Sequence, residues 1–115
     1  MRRHPAVLVL SVIAVVLLAA MLASFLWAGA RQALGDGFAA VTAQPWGLVT
    51  LLDLYVGFAF VAVWIYVLER NWLVTLGWAV ALCVLGNVTT LVYLLLRARK
   101  AATLADVFMP ARAPR

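Results

Sequence analysis

Three long apolar runs, separated by short polar breaks, organise this chain. The first extends from Ala6 to Ala30 without a charge, the second from Trp46 to Leu68 with only Asp53, and the third from Trp72 to Leu96 with none. A bilayer core of roughly 30 Å takes about 20 residues of helix to cross. Inside it every backbone N–H and C=O must find its partner within the segment, so such runs predict helices rather than open strands. The pattern predicts an all-α integral membrane fold with three transmembrane helices, at about 6–30, 46–68 and 72–96.

The breaks add detail. "MRRHP" ahead of the first run and "AGA" at 28–30 resemble parts of a signal peptide. The apolar stretch is about twice the length of a signal h-region, which favours a retained helix. The connection Arg31–Pro45 contains Gly35 and Gly37, and Leu34, Phe38 and Val41 recur within it at helical spacing, as in a helix lying along the interface. Pro45 suits the first turn of the second helix. The connection "ERN" at 69–71 is so short that spans two and three must form an antiparallel hairpin. Residues 1–100 are expected to form one three-helix transmembrane domain. Residues 101–115 are expected to be a basic, largely disordered tail, with a short interfacial helix where Leu104, Val107 and Phe108 recur at i, i+3 and i+4. Trp27, Trp46 and Trp72 fall near span ends, where amphipathic rings favour the headgroup level. Trp64 and Trp78 lie deeper and read as packing residues.

Composition agrees with lipid as the solvent. Of 115 residues, 68% are hydrophobic and 11% charged, against about half and about a quarter in soluble domains. The net charge of +5 comes from basic residues gathered at the two chain ends, which suits anionic lipid headgroups. No basic face is interleaved with aromatics on a foldable scaffold, so nucleic acid is not an expected partner. The Arg- and Ala-rich, Ile-poor composition points to a bacterial chain, and hence to a multi-pass protein of the bacterial inner membrane. With three spans, Arg2, Arg3 and Arg70 would lie on one side, and Arg31, Arg97, Arg99, Lys100, Arg112 and Arg115 on the other. Total charge and first-helix charge then favour opposite orientations. The single cysteine, Cys83, excludes an internal disulfide and reads as a small buried apolar residue.

One ionisable residue interrupts the spans. A charge near the centre of a spanning helix costs roughly 2.5–3.5 kcal/mol on insertion scales, and such residues often mark function. With Arg70 taken as the hairpin centre, Asp53 lies 17 residues before it and Asn87 lies 17 after it. Equal helical rise puts both on the order of 25 Å from the turn. The mirror also pairs Thr50 with Thr90, and Ser24 of the first span lies near the same membrane end. Asp53, Asn87, Thr50, Thr90 and Ser24 therefore form a candidate intramembrane polar cluster, either a structural clasp or a functional site. A neutral Asp53 carboxyl could donate to the Asn87 amide oxygen. Asp53, Gly57, Phe60 and Trp64 share a stripe of the second span, which makes Phe60 and Trp64 candidate ligand-facing aromatics. Ala79, Cys83, Gly86, Asn87 and Thr90 make a small-residue face on the third span, suited to close helix contact. Glu69 and Arg70 read as a solvated pair at the interface.

The stretch "PWGLVTLLDLYVGFAFVAVWIYVLERNWLVTLGW", followed by "LGNVTTLVYLLLRAR", resembles a family of small uncharacterised membrane proteins, domain of unknown function 1475. The resemblance covers residues 45–97. It rests on Pro45, Trp46, Asp53, Tyr55, Gly57, Phe58, Trp64, Tyr66, Glu69, Trp78, Gly86, Asn87 and Tyr93. The first helix matches only in being apolar. The resemblance implies an integral membrane protein and carries no activity, substrate or cofactor.

There is no phosphate-binding glycine loop, no HExxH, no Cys/His metal spacing and no Ser/His/Asp set. No catalytic residue, metal or cofactor is expected, and the reading is non-enzymatic. The leading expectation is an accessory or scaffold subunit that binds the lipid bilayer and either itself, as a homo-oligomer, or a larger membrane-protein partner. An oligomeric proton- or cation-linked carrier or channel using Asp53 is the first alternative, and a binder of an apolar ligand at Phe60 and Trp64 is the second.

Overall fold

The computed structural model describes residues 3–110. Arg2 and the tail positions Arg112 and Arg115 lie outside the described residues. Among the described residues six helices follow in order: α1 Pro5–Arg31, α2 Leu34–Thr42, α3 Pro45–Glu69, α4 Trp72–Leu85, α5 Asn87–Lys100 and α6 Leu104–Phe108.

The polar breaks cap the helices. His4 Nδ1 accepts from the Ala6 N–H, with Pro5 opening α1, a position where the missing N–H costs no bond. Pro45 opens α3 in the same way. Arg70 takes the left-handed conformation after α3 (φ 56°, ψ 26°). The Asn71 side chain then accepts from the Leu73 and Val74 N–H groups to start α4. This two-residue turn makes α3 and α4 the antiparallel pair that the sequence predicts. At the other end of α3, a Cβ on Gly47 would run into the Val41 carbonyl. That close approach is what lets α2 fold back onto the start of α3.

Two helices, α1 and α3, are long and apolar enough to cross a membrane. The expected third span is corrected, because residues 72–96 do not form one helix. The run breaks at Gly86 (φ 66°, ψ −138°) into two helices of 14 residues each. Each is about 21 Å long, short of a roughly 30 Å hydrocarbon core. The Gly86 conformation is close to the mirror image of extended backbone, a region that is essentially glycine-only. The residues on either side carry little trace of such a break, since Val84, Leu85 and Val88 are apolar; α5 turns polar only in its last turn, at Arg97, Arg99 and Lys100.

The break reverses the chain. Tyr93 on α5 has its ring centre 5.0 Å from that of Trp78 on α4 and 5.3 Å from that of Trp64 on α3. Fifteen residues along one straight helix would separate Tyr93 and Trp78 by about 22 Å. So α5 runs back beside α4 towards the Arg70 turn. It also runs antiparallel to α1: Val7 packs with Ala98 and Ala101, while Leu17 and Ser24 line a groove with Leu91 and Asn87. At the base, the His4 N–H donates to the Ala102 carbonyl at 2.7 Å and the Arg3 guanidinium donates to the Arg99 carbonyl.

The start of α1, the α3–α4 turn and the end of α5 therefore share one end of the bundle, and the α1–α2–α3 connection occupies the other. Arg3, Arg70, Arg97, Arg99 and Lys100 gather at the first end with Glu69 and Asp106. Arg31 and Asp36 lie at the second. The two-sided split of basic residues expected from three spans is corrected by the same reversal.

Two small cores hold the helices. Val7, Ala98, Ala101 and Val107 join α1, α5 and α6, and Phe58, Ile65, Leu82 and Tyr93 join α3, α4 and α5. Most large apolar side chains of α1 and α3 point outward, and only 11% of the apolar window of each is buried. Of the expected tail, residues up to Pro110 are described; they include the short helix α6, while 111–115 lie outside the described residues.

Candidate functional site

The candidate polar cluster divides. Asp53 is exposed on α3, and among the described residues no hydrogen bond links it to Asn87. The mirror arithmetic is nearly right in depth, since the Tyr55 hydroxyl donates to the Cys83 carbonyl at 3.2 Å. But α4 ends at Leu85, and the reversal hands Asn87 to α5, where it faces α1. Thr50 donates to the Trp46 carbonyl of its own helix at 2.8 Å. Ser24, Asn87 and Thr90 do come together, lining the groove between α1 and α5, of about 340 Å3, with Leu17, Met21 and Leu91. Within it the Thr90 hydroxyl and the Asn87 amide oxygen lie 3.4 Å apart, and Ser24 donates to the Ala20 carbonyl.

The expected α3 stripe turns mostly outward. Asp53, Gly57 and Phe60 are exposed, Phe60 to 72%. The inward face runs through Phe58, Val61, Ala62 and Ile65 instead. Phe60 and Trp64 are therefore not two walls of one pocket. Cys83, expected to be buried, is exposed, because α4 turns Leu82 and not Cys83 to the core.

A different site assembles at the basic end. Tyr93 is 2% exposed and packs with its ring nearly perpendicular to those of both Trp64 and Trp78. Its hydroxyl donates to Glu69 Oε1 at 2.8 Å. Around this centre opens a cleft of about 1030 Å3, lined by Glu69, Trp78, Tyr93, Arg97, Lys100 and Asp106 among others. The helix α6 forms its far wall and is tied down from two sides. Arg97 donates from Nε to the Val107 carbonyl at 2.7 Å, and from Nη2 to the carbonyls of Asp106 and Met109 at 2.9 and 3.0 Å. The Trp64 indole N–H donates to the Phe108 carbonyl at 2.9 Å. The carbonyls left open at the end of a helix need such partners, and an arginine near a helix C-terminus also meets its dipole favourably. At the other end of α6, Thr103 and Asp106 form a reciprocal capping box.

Trp64, Glu69, Trp78 and Tyr93 are separated by up to 29 residues in sequence, yet they meet here. The sequence reads Glu69 as a solvated partner of Arg70 and Arg97 only as one of the basic residues of the chain end. A signal for Glu69 was present in part, because it belongs to the same residue pattern as the three aromatics. What joins them is the return of α5, which spacing within a supposed straight helix cannot show. Among the described residues there is no group of three or more His, Cys, Asp and Glu that could hold a metal ion.

The family described as "Protein of unknown function (DUF1475)" matches residues 1–109. The chain belongs to this family. The match takes in α1 and α6 as well as the 45–97 stretch on which the resemblance rested. It spans every helix of the bundle and all the residues that line the basic-end cleft up to Met109. No curated protein and no solved structure matches the chain.

Proposed function

We propose that this DUF1475 member is a non-enzymatic integral membrane protein of the bacterial inner membrane, acting as an accessory or scaffold subunit. In this reading α1 and α3 cross the bilayer. The α4–α5 hairpin enters from the basic side and returns to it. The exposed apolar surface of α1 and α3 supports lipid as their surroundings, because a soluble core helix would bury that surface. The packing of α1 along α5 supports its place in the folded unit. The basic end would face the cytoplasm, with Arg3, Arg70, Arg97, Arg99 and Lys100 there and only Arg31 at the far end, as the positive-inside rule favours.

The observation that carries the subunit reading is Asp53. It stands about 12 Å into α3 from Pro45, exposed and without a hydrogen-bond partner among the described residues. Intramembrane carboxylates rarely face lipid and normally meet a polar partner. A second copy or a larger membrane protein can supply that partner on the outward face of α3. Cysteine crosslinking in native membranes tests this, with single cysteines at Leu52 or Gly57 in a Cys83→Ser background. A crosslinked species that weakens in Asp53→Leu is expected. Monomer alone, at every expression level, would overturn the reading.

A further inference from the structure

The cleft at the basic end contains both signs of charge, held apart. Glu69 accepts from Tyr93, Arg97 is engaged by three carbonyls of the α6 end, and Asp106 accepts from the Thr103 N–H. None of these bonds joins an acid in the cleft to a base in it. Glu69 uses one carboxylate oxygen on Tyr93, which leaves the second for another donor. Lys100 lines the same cleft from α5, and its ammonium is a compact, strongly hydrated point charge suited to phosphate. Trp78, Tyr93 and Leu96 supply an apolar floor. With α1 and α3 crossing the bilayer as proposed above, these helix ends would meet the headgroup layer, and the cleft of about 1030 Å3 exceeds the volume of a small polar headgroup alone.

We infer that this cleft binds the headgroup of a zwitterionic amino-phospholipid. Its ammonium is held by Glu69, its phosphate by Lys100 beside the fixed Arg97 charge, and its glycerol and upper chains lie against Trp78 and Leu96. Two features narrow the class. A purely anionic headgroup would bring its phosphate beside Glu69 and Asp106 without meeting their charge. A choline headgroup offers no N–H to the free Glu69 oxygen. Nor does Tyr93 present an open face for a cation–π contact, because its ring is 2% exposed and packed between Trp64 and Trp78. The remaining match is a primary ammonium one phosphodiester away from glycerol.

This inference rests on the membrane reading above, and the experiment separates the two. Purified full-length protein in mild detergent is titrated, under native mass spectrometry, with phosphatidylethanolamine, phosphatidylcholine and phosphatidylglycerol of identical chains. The N- and C-terminal sidedness of the same variants is checked in membranes. Preferential retention of phosphatidylethanolamine by about tenfold is expected. That preference should disappear in Glu69→Gln, which keeps an oxygen acceptor for Tyr93, and in Lys100→Gln. Asp36→Asn, at the opposite end, should leave it unchanged. Soluble glycerophosphoethanolamine is added as a competitor: if it competes, the headgroup alone is sufficient; if it fails, the chains contribute. Either result agrees with a zwitterion site. Equal retention of all three lipids, or preference for phosphatidylglycerol that survives Glu69→Gln, in protein of the expected sidedness, overturns the site without touching the membrane reading.

Discussion

Replacing Gly86 with alanine should open the α4–α5 hairpin. At φ 66° and ψ −138° an L-residue costs about 1–3 kcal/mol. Space is the lesser problem, because the nearest atom to an added Cβ is Phe58 Cζ at 3.4 Å, close to ordinary contact. The competing conformation is one helix from Trp72 to Lys100. There alanine is better than glycine by about 0.8–1.0 kcal/mol. The two effects add to a swing of about 2–4 kcal/mol from hairpin to straight helix, or about 30-fold to several hundredfold in their ratio. The straight helix would be about 42 Å long, enough to cross a bilayer. Spin labels at Arg70→Cys and Arg99→Cys in a Cys83→Ser background read the difference directly. In the hairpin both positions border the same end of the bundle, and the electron–electron distance should be under about 20 Å. In a straight helix it approaches about 40 Å. Gly77→Ala, which adds a Cβ into open space within α4, is the control and should keep the short distance. If Gly86→Ala also keeps the short distance, with unchanged thermal stability, glycine is not what holds the reversal.

Other substitutions test the packing around the cleft. Arg97→Met removes the donor to three α6 carbonyls, and charged hydrogen bonds contribute about 1.5–3 kcal/mol each at most; hydrogen exchange should rise across 103–109 while α3 stays protected. Tyr93→Phe should cost about 1–3 kcal/mol through the lost bond to Glu69, and Tyr93→Ala about 3–5 kcal/mol through the cavity, read as shifts in unfolding in mild detergent; equal losses would mean that the ring packing carries nothing. Gly47→Ala pushes a Cβ into the Val41 backbone and should cost about 1–3 kcal/mol, with cysteine labelling rising at Val41→Cys as α2 lifts away. Asp53→Asn, at an exposed position, should leave the thermal stability of the monomer within about 0.5 kcal/mol; a loss above 2 kcal/mol would indicate an intrachain partner.

The helix ends were largely legible in the sequence. His4 with Pro5, Pro45 and Asn71 each announce a helix start through local chemistry, and the pairing of α3 with α4 follows from the shortness of "ERN". Gly86 was visible as a residue but not as a reversal. Its neighbours Val84, Leu85 and Val88 are as apolar as any span, and glycine inside apolar helices is common when close packing is needed. Everything that depended on a straight third span then moved. Asn87 went to α1, Tyr93 went to Glu69, and Arg97, Arg99 and Lys100 changed ends. The cleft required the same fact, since its lining comes from the end of α3, both arms of the hairpin and α6. Ser24, Asn87 and Thr90 meet for a different reason than depth alone, namely the antiparallel run of α5 beside α1.

The most direct test of the membrane arrangement is the sidedness of three single cysteines in the Cys83→Ser background: His4→Cys, Gly35→Cys and Thr103→Cys. Each is labelled in intact cells or sealed right-side-out vesicles with a membrane-impermeant maleimide, before and after permeabilisation. Gly35→Cys alone should react from outside, and His4→Cys and Thr103→Cys should react only after permeabilisation. Reaction of His4→Cys and Thr103→Cys from opposite sides would mean an odd number of crossings, and would contradict the reversal at Gly86 and the cleft built on it.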